Sequence, residues 1–314
     1  MTTPNLTVSV PTAELREALR ALAPNVTIYE WDLSTSPPAD EIDIVVPPYM
    51  SEPSVLRHLV DVKSRLVQSQ MVGFDGVREA LPPGPKFANA TSVHETSTAE
   101  LVLALILASQ RGIPDFVRAS EEGRWAPQWH QSLADRTVLL VGYGGVARAI
   151  ETRLSGFEVV IERLAFTQRT DEKGTIHGFD SLQRLLSQSD VVVVAVPLTP
   201  ATTHLIGDAF LSTMRDGSLL VNVSRGRVAD TEAVLAHASS GRLRFPLDVT
   251  DPEPLPDGHP LFALSNVLIS PHVGGKTSAM LPRMARLLAE QVTRMQRGDD
   301  PLNVVHFEET TTDT

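Results

Sequence analysis

The chain has 314 residues, 42% of them hydrophobic, and a formal net charge of −11. That length predicts two domains with sizeable cores, and an acidic balance without Lys/Arg clusters argues against nucleic acid as a partner, because phosphate binding needs such clusters. With no cysteine there is no disulfide framework, no thiolate nucleophile and no cysteine-ligated zinc.

The N-terminus MTTPNLTVSVPTAEL lacks a basic region followed by an apolar run and a small-residue cleavage site, so no secretion signal is read. The longest apolar run, Leu101 to Ala108, is too short for a bilayer span and reads as a buried core helix. A cytoplasmic protein without a membrane segment is the expectation.

Short Val- and Ile-rich runs alternate with helical periodicity along most of the chain, which implies βα units, parallel sheet and the α/β class. In the first third, strands are predicted near Leu6 to Val10, Val26 to Trp31, Ile42 to Val46 and Leu66 to Ser69, with helices starting near Thr12 and Ser54. Thr12 is the expected cap of the first helix, its hydroxyl accepting from free amides.

A long helix is predicted from about Glu95 to Arg111, followed by a loop, SEEGRWAPQWHQSLADRT, dense in turn and polar residues. From Thr137 a second βα series runs through VLLVG, VVIERLAF, VVVVAVP, SLLVNVS, FPLDV and NVLIS. Uninterrupted Val-rich runs are what strands covered on both faces require. A last helix, about Ser278 to Gly298, ends in RGDDPLNVV, where a short strand-like run is expected to return to the first domain. The tail EETTTDT has nothing apolar to bury.

GYGGVA, residues 142–147, follows the strand TVLLV and opens the helical stretch VARAIETRL. In that context Gly142 permits a tight turn, Gly144 lets backbone approach a pyrophosphate, and Ala147 stands where a third glycine often allows close helix packing. The helix N-terminus supplies free amides to the phosphates. The fingerprint usually continues with a carboxylate roughly 20 residues on, which binds the adenosine ribose. Here Glu162 falls inside VVIERLAF, and the strand is read as ending in FTQRT, which places Gln168 and Arg169 at its terminus. An arginine there suits a 2′-phosphate, so the cofactor expectation is NADP, with NAD as the alternative.

Three further segments, VNVSRGRVAD (221–230), LDVTDPEPLP (247–256) and ISPHVGG (269–275), each follow an apolar strand, so their polar residues emerge where ligands bind in open α/β sheets. Arg225, Glu253 and His272 are the candidate catalytic residues among them. The order of glycine loop, NxxRG, DVxxxEP and PHxGG resembles the D-isomer-specific 2-hydroxyacid dehydrogenase family. AELVLALILASQR (99–111), VPLTPATTHLI (196–206) and VGFDGV (72–77) add to the likeness, which spans nearly the whole chain.

The resemblance implies a Rossmann dinucleotide-binding domain inserted in a flavodoxin-like substrate domain, here residues 96–286 within 1–95 plus 287–314. It implies that Arg225 holds the substrate carboxylate and polarises the 2-keto oxygen. His272 is the implied acid/base that protonates the carbonyl oxygen during reduction, and Glu253 its partner carboxylate, fixing which ring nitrogen faces substrate.

The implied cofactor-binding set is Gly142, Tyr143, Gly144, Gly145, Val146, Gln168, Arg169, Val196, Pro197, Val223, Ser224, Arg225, Asp248, His272, Gly274 and Gly275, with Asp248 touching the nicotinamide carboxamide. Backbone at Val72, Gly73 and Phe74 is implied to receive the substrate carboxylate, alongside Arg225 and His272. A homodimer acting on a small 2-keto or 2-hydroxy acid of the glyoxylate or hydroxypyruvate type follows from the same likeness.

Several alternatives are weighed beside these roles. Formate dehydrogenases share the fold but carry glutamine where this chain has Glu253, which disfavours formate. A nucleotide-sensing, corepressor-like protein is the non-enzymatic reading. His94, His130 and His204 stand near motifs, yet no HxxxH or HExxH pairing occurs and no metal site is expected. Ser224 has no GxSxG elbow around it, which argues against nucleophilic hydrolysis. Trp125 and Trp129 are candidates either for lining the substrate mouth or for packing.

Overall fold

The computed structural model describes residues 5–307. Its backbone divides into two compact units, one built from both chain ends, up to His94 and from Ser278 onward, and one spanning Glu95–Thr277.

The first unit contains β1 (Thr7–Val10), α1 (Ala13–Leu22), β2 (Thr27–Glu30), β3 (Ile44–Val45), β4 (Leu66–Gln68), α2 (Val77–Ala80) and β5 (Lys86–Ala88). All its strands run parallel in the order β2-β1-β3-β4-β5, the flavodoxin-like arrangement. Thr12 caps α1 by accepting from the Leu15 amide at 3.3 Å, as predicted. The helix predicted near Ser54 is a 3₁₀ segment, Pro53–Leu59.

Alternation along the strands supplies both faces of this sheet. Val8, Val10, Ile44, Val46 and Leu66 join one core cluster, while Val45, Val67 and Phe87 join the other.

The second unit follows in chain order with α3 (Glu95–Gln110), α4 (Ile113–Glu121), β6 (Thr137–Val141), α5 (Gly145–Leu154), β7 (Val160–Leu164), β8 (Arg169–Asp171), β9 (Gly174–Ile176), α6 (Leu182–Leu186), β10 (Val191–Val194), α7 (Asp208–Thr213), β11 (Leu219–Asn222), α8 (Thr231–Ser239), β12 (Phe245–Leu247) and β13 (Val267–Ile269). Its six-stranded parallel sheet has the order β13-β12-β11-β10-β6-β7. Val192, Val194, Leu139, Val141 and Leu220 face one core, and Val191, Val193, Val138, Leu140, Leu219 and Val221 face the other. Burial on both sides is the reason the strands read as unbroken apolar runs. Connections leave β6 toward β7 on one side and β10 on the other, so the topological switch lies between β6 and β10.

The last helix, α9 (Met280–Arg297), belongs to the first unit and ends on Gly298 in the left-handed conformation. Its buried stripe of Met284, Leu287, Leu288, Val292 and Met295 recurs at helical spacing and closes the core against α1. One continuous helix with one buried stripe cannot be shared out, so the chain re-enters this unit at Ser278, whereas the predicted crossing at residue 287 would cut α9 in two. Beyond it Val304 bridges Ala88 antiparallel, in keeping with the expected return of the strand-like run. The tail EETTTDT lies outside the described residues.

α3 buries Val102, Leu105 and Ile106 but leaves Ala104 exposed, so the apolar run Leu101 to Ala108 is a half-buried helix rather than an enclosed one. Among the described residues no helix is long and apolar enough to cross a membrane.

Candidate active site

The glycine loop sits at the switch point. Gly142 directly follows β6 with a φ of +89°, and a Cβ there would stand 2.5 Å from the Ala195 carbonyl oxygen just past β10, so only glycine allows the two strand ends to approach this closely. Gly144 faces open space, with nothing within 4 Å of a built Cβ. It is also the N-cap of α5 and gives that helix no side-chain hydrogen bond, which leaves the first amides of α5 for an outside acceptor. Gly145 opens the helix beside Glu95, whose Cγ and Oε1 lie 3.0 Å from where its Cβ would be.

Tyr143 is buried between these glycines, Val146 is half-buried, and Ala147 packs tightly among Ala99, Val102 and Ile106 of α3. An uncapped helix terminus behind an open glycine is the cradle a dinucleotide pyrophosphate requires, and the residues present fit it.

The adenosine end departs from the sequence expectation in one respect. β7 stops at Leu164, so Gln168 and Arg169 do not close that strand; Arg169 instead opens the β8–β9 hairpin. Its guanidinium nevertheless reaches the glycine loop, with Nη2 donating to the Tyr143 carbonyl oxygen at 3.4 Å. Glu162 lies within β7 opposite Leu139 and contacts His177 at 3.2 Å, away from the strand end.

Val196 and Pro197 follow β10, and Val223 and Ser224 follow β11, all at carboxyl ends of the parallel strands. The Ser224 amide and hydroxyl both donate to Asn222 Oδ1, at 3.1 and 2.6 Å, fixing the turn that presents Arg225. Arg225 is half-buried, and its Nη1 donates to the Ser224 carbonyl oxygen at 2.8 Å. The next residue must be glycine, because a Cβ on Gly226 would stand 1.8 Å from the Thr250 carbonyl oxygen. In this way the loop after β11 lies directly against the loop after β12.

That second loop carries Glu253, and its carboxylate meets Nδ1 of His272 at 2.5 Å. His272 itself has φ of +50°, a left-handed conformation uncommon for a non-glycine residue. The amide of His272 donates to the Asp248 carbonyl oxygen at 2.8 Å, which holds the strained residue in place. With Nδ1 facing the carboxylate, Nε2 is the ring nitrogen left to act outward.

Asp248 is 3% exposed and takes three bonds from the same loop: Ser270 Oγ at 2.7 Å and the Val273 and Gly274 amides at 3.0 Å each. Its carboxylate thus shapes the Pro-His-Val-Gly-Gly turn first of all. Gly274 must be small, since a Cβ would lie 3.0 Å from Asp248 Oδ2, and Gly275 follows it half-buried.

In the first unit, the segment predicted to receive a carboxylate is held by its carbonyls. The Gln70 carbonyl oxygen accepts from His94 Nε2 at 2.7 Å, that of Met71 from the Ala90 amide at 2.8 Å, and that of Val72 from Asn89 Nδ2 at 3.0 Å. Gln70 Nε2 in turn donates to the Pro47 carbonyl oxygen at 2.9 Å. Among the described residues the amides of Val72, Gly73 and Phe74 enter none of these bonds and stay available to an anion. The sequence reading noted His94 only as a histidine near a motif and did not single out Asn89 or Gln70, because the partners of all three are backbone atoms of other elements, which no local pattern shows.

Trp125 and Trp129 are 96% and 102% exposed, so neither packs within its unit. No group of three or more His, Asp or Glu side chains able to hold a metal occurs among the described residues.

Residues 103–274 match the family model described as D-isomer specific 2-hydroxyacid dehydrogenase, NAD binding domain. The chain is 34% identical over 256 residues to a glyoxylate reductase of Korarchaeum cryptofilum, an alignment covering 78% of this chain and 77% of that protein. It is 32% identical over 307 residues to the human glyoxylate reductase/hydroxypyruvate reductase, covering 91% and 93%. Among solved structures, a D-isomer specific 2-hydroxyacid dehydrogenase from Xanthobacter autotrophicus Py2, crystallised with NADPH and MES, superposes with a TM-score of 0.82 at 27% identity, over 96% of this chain and 98% of that one.

Proposed function

Because this chain belongs to the D-isomer specific 2-hydroxyacid dehydrogenase family, we propose that it reduces a small 2-keto acid of the glyoxylate or hydroxypyruvate type to the D-2-hydroxy acid, with Arg225, Glu253 and His272 carrying the chemistry. The observation that carries this reading is the 2.5 Å contact between His272 Nδ1 and Glu253, which leaves Nε2 to serve the reacting oxygen.

A reduced nicotinamide dinucleotide, when bound, supplies the hydride. The chain's own groups do the rest. Arg225 offers a planar pair of donors to the carboxylate and keto oxygen of the substrate, His272 delivers a proton from Nε2 to that oxygen, and Glu253 stabilises and orients the imidazolium. The free amides at Val72, Gly73 and Phe74 offer a second seat for the substrate carboxylate. Val196, Pro197, Val223, Ser224, Gly274 and Gly275, at the carboxyl ends of the strands, would hold the dinucleotide, with Asp248 fixing the last of these turns.

NADPH is the proposed cofactor over NADH. Arg169 beside the glycine loop supports it, as does the NADPH present in the Xanthobacter structure. The protein is proposed to act as a homodimer in the cytoplasm. Support for the dimer comes from the exposed apolar side chains Ile113, Phe116, Val117, Trp125 and Trp129, concentrated on α4 and the loop after it. Incubation with NADPH or NADH and a panel of 2-keto acids tests the activity, and turnover with none of them, by a protein that still binds the dinucleotide, would favour the sensor reading.

A further inference from the structure

Position 151 breaks the pattern of its helix. Ala147, Ile150 and Leu154 of α5 face the core, and residue 151 belongs to the same stripe, yet it is a glutamate only 4% exposed. A buried carboxylate is costly unless paired. This one is paired three times: the Tyr143 hydroxyl donates to it, Arg163 Nε lies at 2.8 Å, and Lys173 Nζ at 2.9 Å. Arg163 also faces Asp171 at 3.6 Å, so two carboxylates balance two cations. Burial opposes the charge on Glu151, but hydrogen bonds from Tyr143 and Lys173 and the charge of Arg163 hold its carboxyl below the usual range. Burial, and then the bond to Glu151, push the Tyr143 phenol up to about 12, so it remains a donor.

The partners come from separate elements that meet at the proposed cofactor site. Tyr143 lies between the loop glycines, Arg163 is on β7, and Asp171 and Lys173 are in the hairpin that opens with Arg169. Backbone bonds join the open end of that hairpin, where Ile176 pairs with Arg169, to β7 through His177, whose amide donates to the Arg163 carbonyl oxygen at 2.8 Å and whose own carbonyl oxygen accepts from the Ala165 amide at 2.9 Å. The opposite end, the turn that carries Lys173 between Asp171 and Gly174, is tied by the side chains of the Glu151 cluster, and Arg169 adds its own bond to the glycine loop.

Building on the reading of the glycine loop and Arg169 as a dinucleotide site, we propose that Glu151 is a positioning residue for the adenosine end of the cofactor. Its carboxylate clamps the β8–β9 hairpin to the glycine loop, so that Arg169 and the phosphate-binding amides are presented as one rigid surface. Glu151 touches no reacting atom and acts only through Tyr143, Arg163 and Lys173.

Titration of NADPH and NADH against the full chain, read by protein fluorescence, tests this beside steady-state kinetics. In Glu151→Gln the Kd and KM for NADPH should rise about tenfold or more, as expected for a charge-assisted buried bond, while kcat at saturating NADPH stays within about twofold. NADH, lacking the 2′-phosphate, should lose less. Lys173→Met, at a half-exposed side chain that folding tolerates, should weaken NADPH severalfold, and Lys173→Arg should restore it. An NADPH Kd unchanged within about twofold in both folded variants overturns the proposal. A parent protein that binds neither dinucleotide would overturn the cofactor-site reading instead.

Discussion

Replacing Gly142 by alanine sets two costs against each other's absence at Gly144. At Gly142 the φ of +89° costs an L-residue about 1–2 kcal/mol, and the new methyl would lie 2.5 Å from the Ala195 carbonyl oxygen and 2.9 Å from Val196 Cγ1. Relieving such overpacking by backbone shifts adds about 1–3 kcal/mol. The sum, about 2–5 kcal/mol, corresponds to a fall in Tm of roughly 4–20 °C for a unit of this size. Gly144→Ala meets nothing within 4 Å and needs no left-handed backbone, so its Tm should move by no more than about 2 °C. Its methyl does enter the space through which a pyrophosphate approaches, so NADPH affinity should fall about tenfold or more. Differential scanning calorimetry and cofactor titration on the two variants separate the effects. An unchanged Tm in Gly142→Ala would refute the packing argument, and an unchanged NADPH Kd in Gly144→Ala would refute the phosphate cradle.

Arg225→Lys removes a planar fork that a point charge cannot replace, and kcat/KM for the keto acid should drop about 10²–10³-fold with cofactor titration unaltered. His94→Ala frees the Gln70 carbonyl and should raise KM for the keto acid about fivefold, NADPH Kd being unaffected; equal effects on both ligands would speak against a local role at the Val72–Phe74 segment. Thr12→Ala deletes the α1 cap and should lower unfolding free energy by about 1 kcal/mol in urea titrations, without a change in kcat.

The sheets were legible because strands buried on both faces leave long Val-rich runs, and α1 and α9 because each presents one apolar stripe and a recognisable end. Other elements carry no such mark. α4 has no counterpart in the sequence reading, since Gly112 and Pro114 look like loop punctuation, yet proline in the first helical turn gives up no needed amide. The β8–β9 ribbon is short and polar, and its first residues, Arg169 and Thr170, read as the end of the preceding strand, which in fact stops at Leu164.

At the site, Arg225, Glu253 and His272 could be nominated because each follows a strand within a distinctive ordered motif, and the structure brings Glu253 onto His272. The groups that hold the site were hidden. Asn89, Gln70 and His94 act on distant backbone, and Glu151 gains its meaning from Arg163 and Lys173. Glu151 did leave one trace, a charge inside an apolar stripe.

The most direct test of the proposed activity is the configuration of the product formed from hydroxypyruvate and NADPH, with His272→Ala run in parallel. The proposed activity predicts the D-2-hydroxy acid from the parent protein, and from the variant a rate lower by about 10²–10⁴-fold with cofactor affinity retained. Formation of the L-isomer, or full activity in His272→Ala, would contradict it.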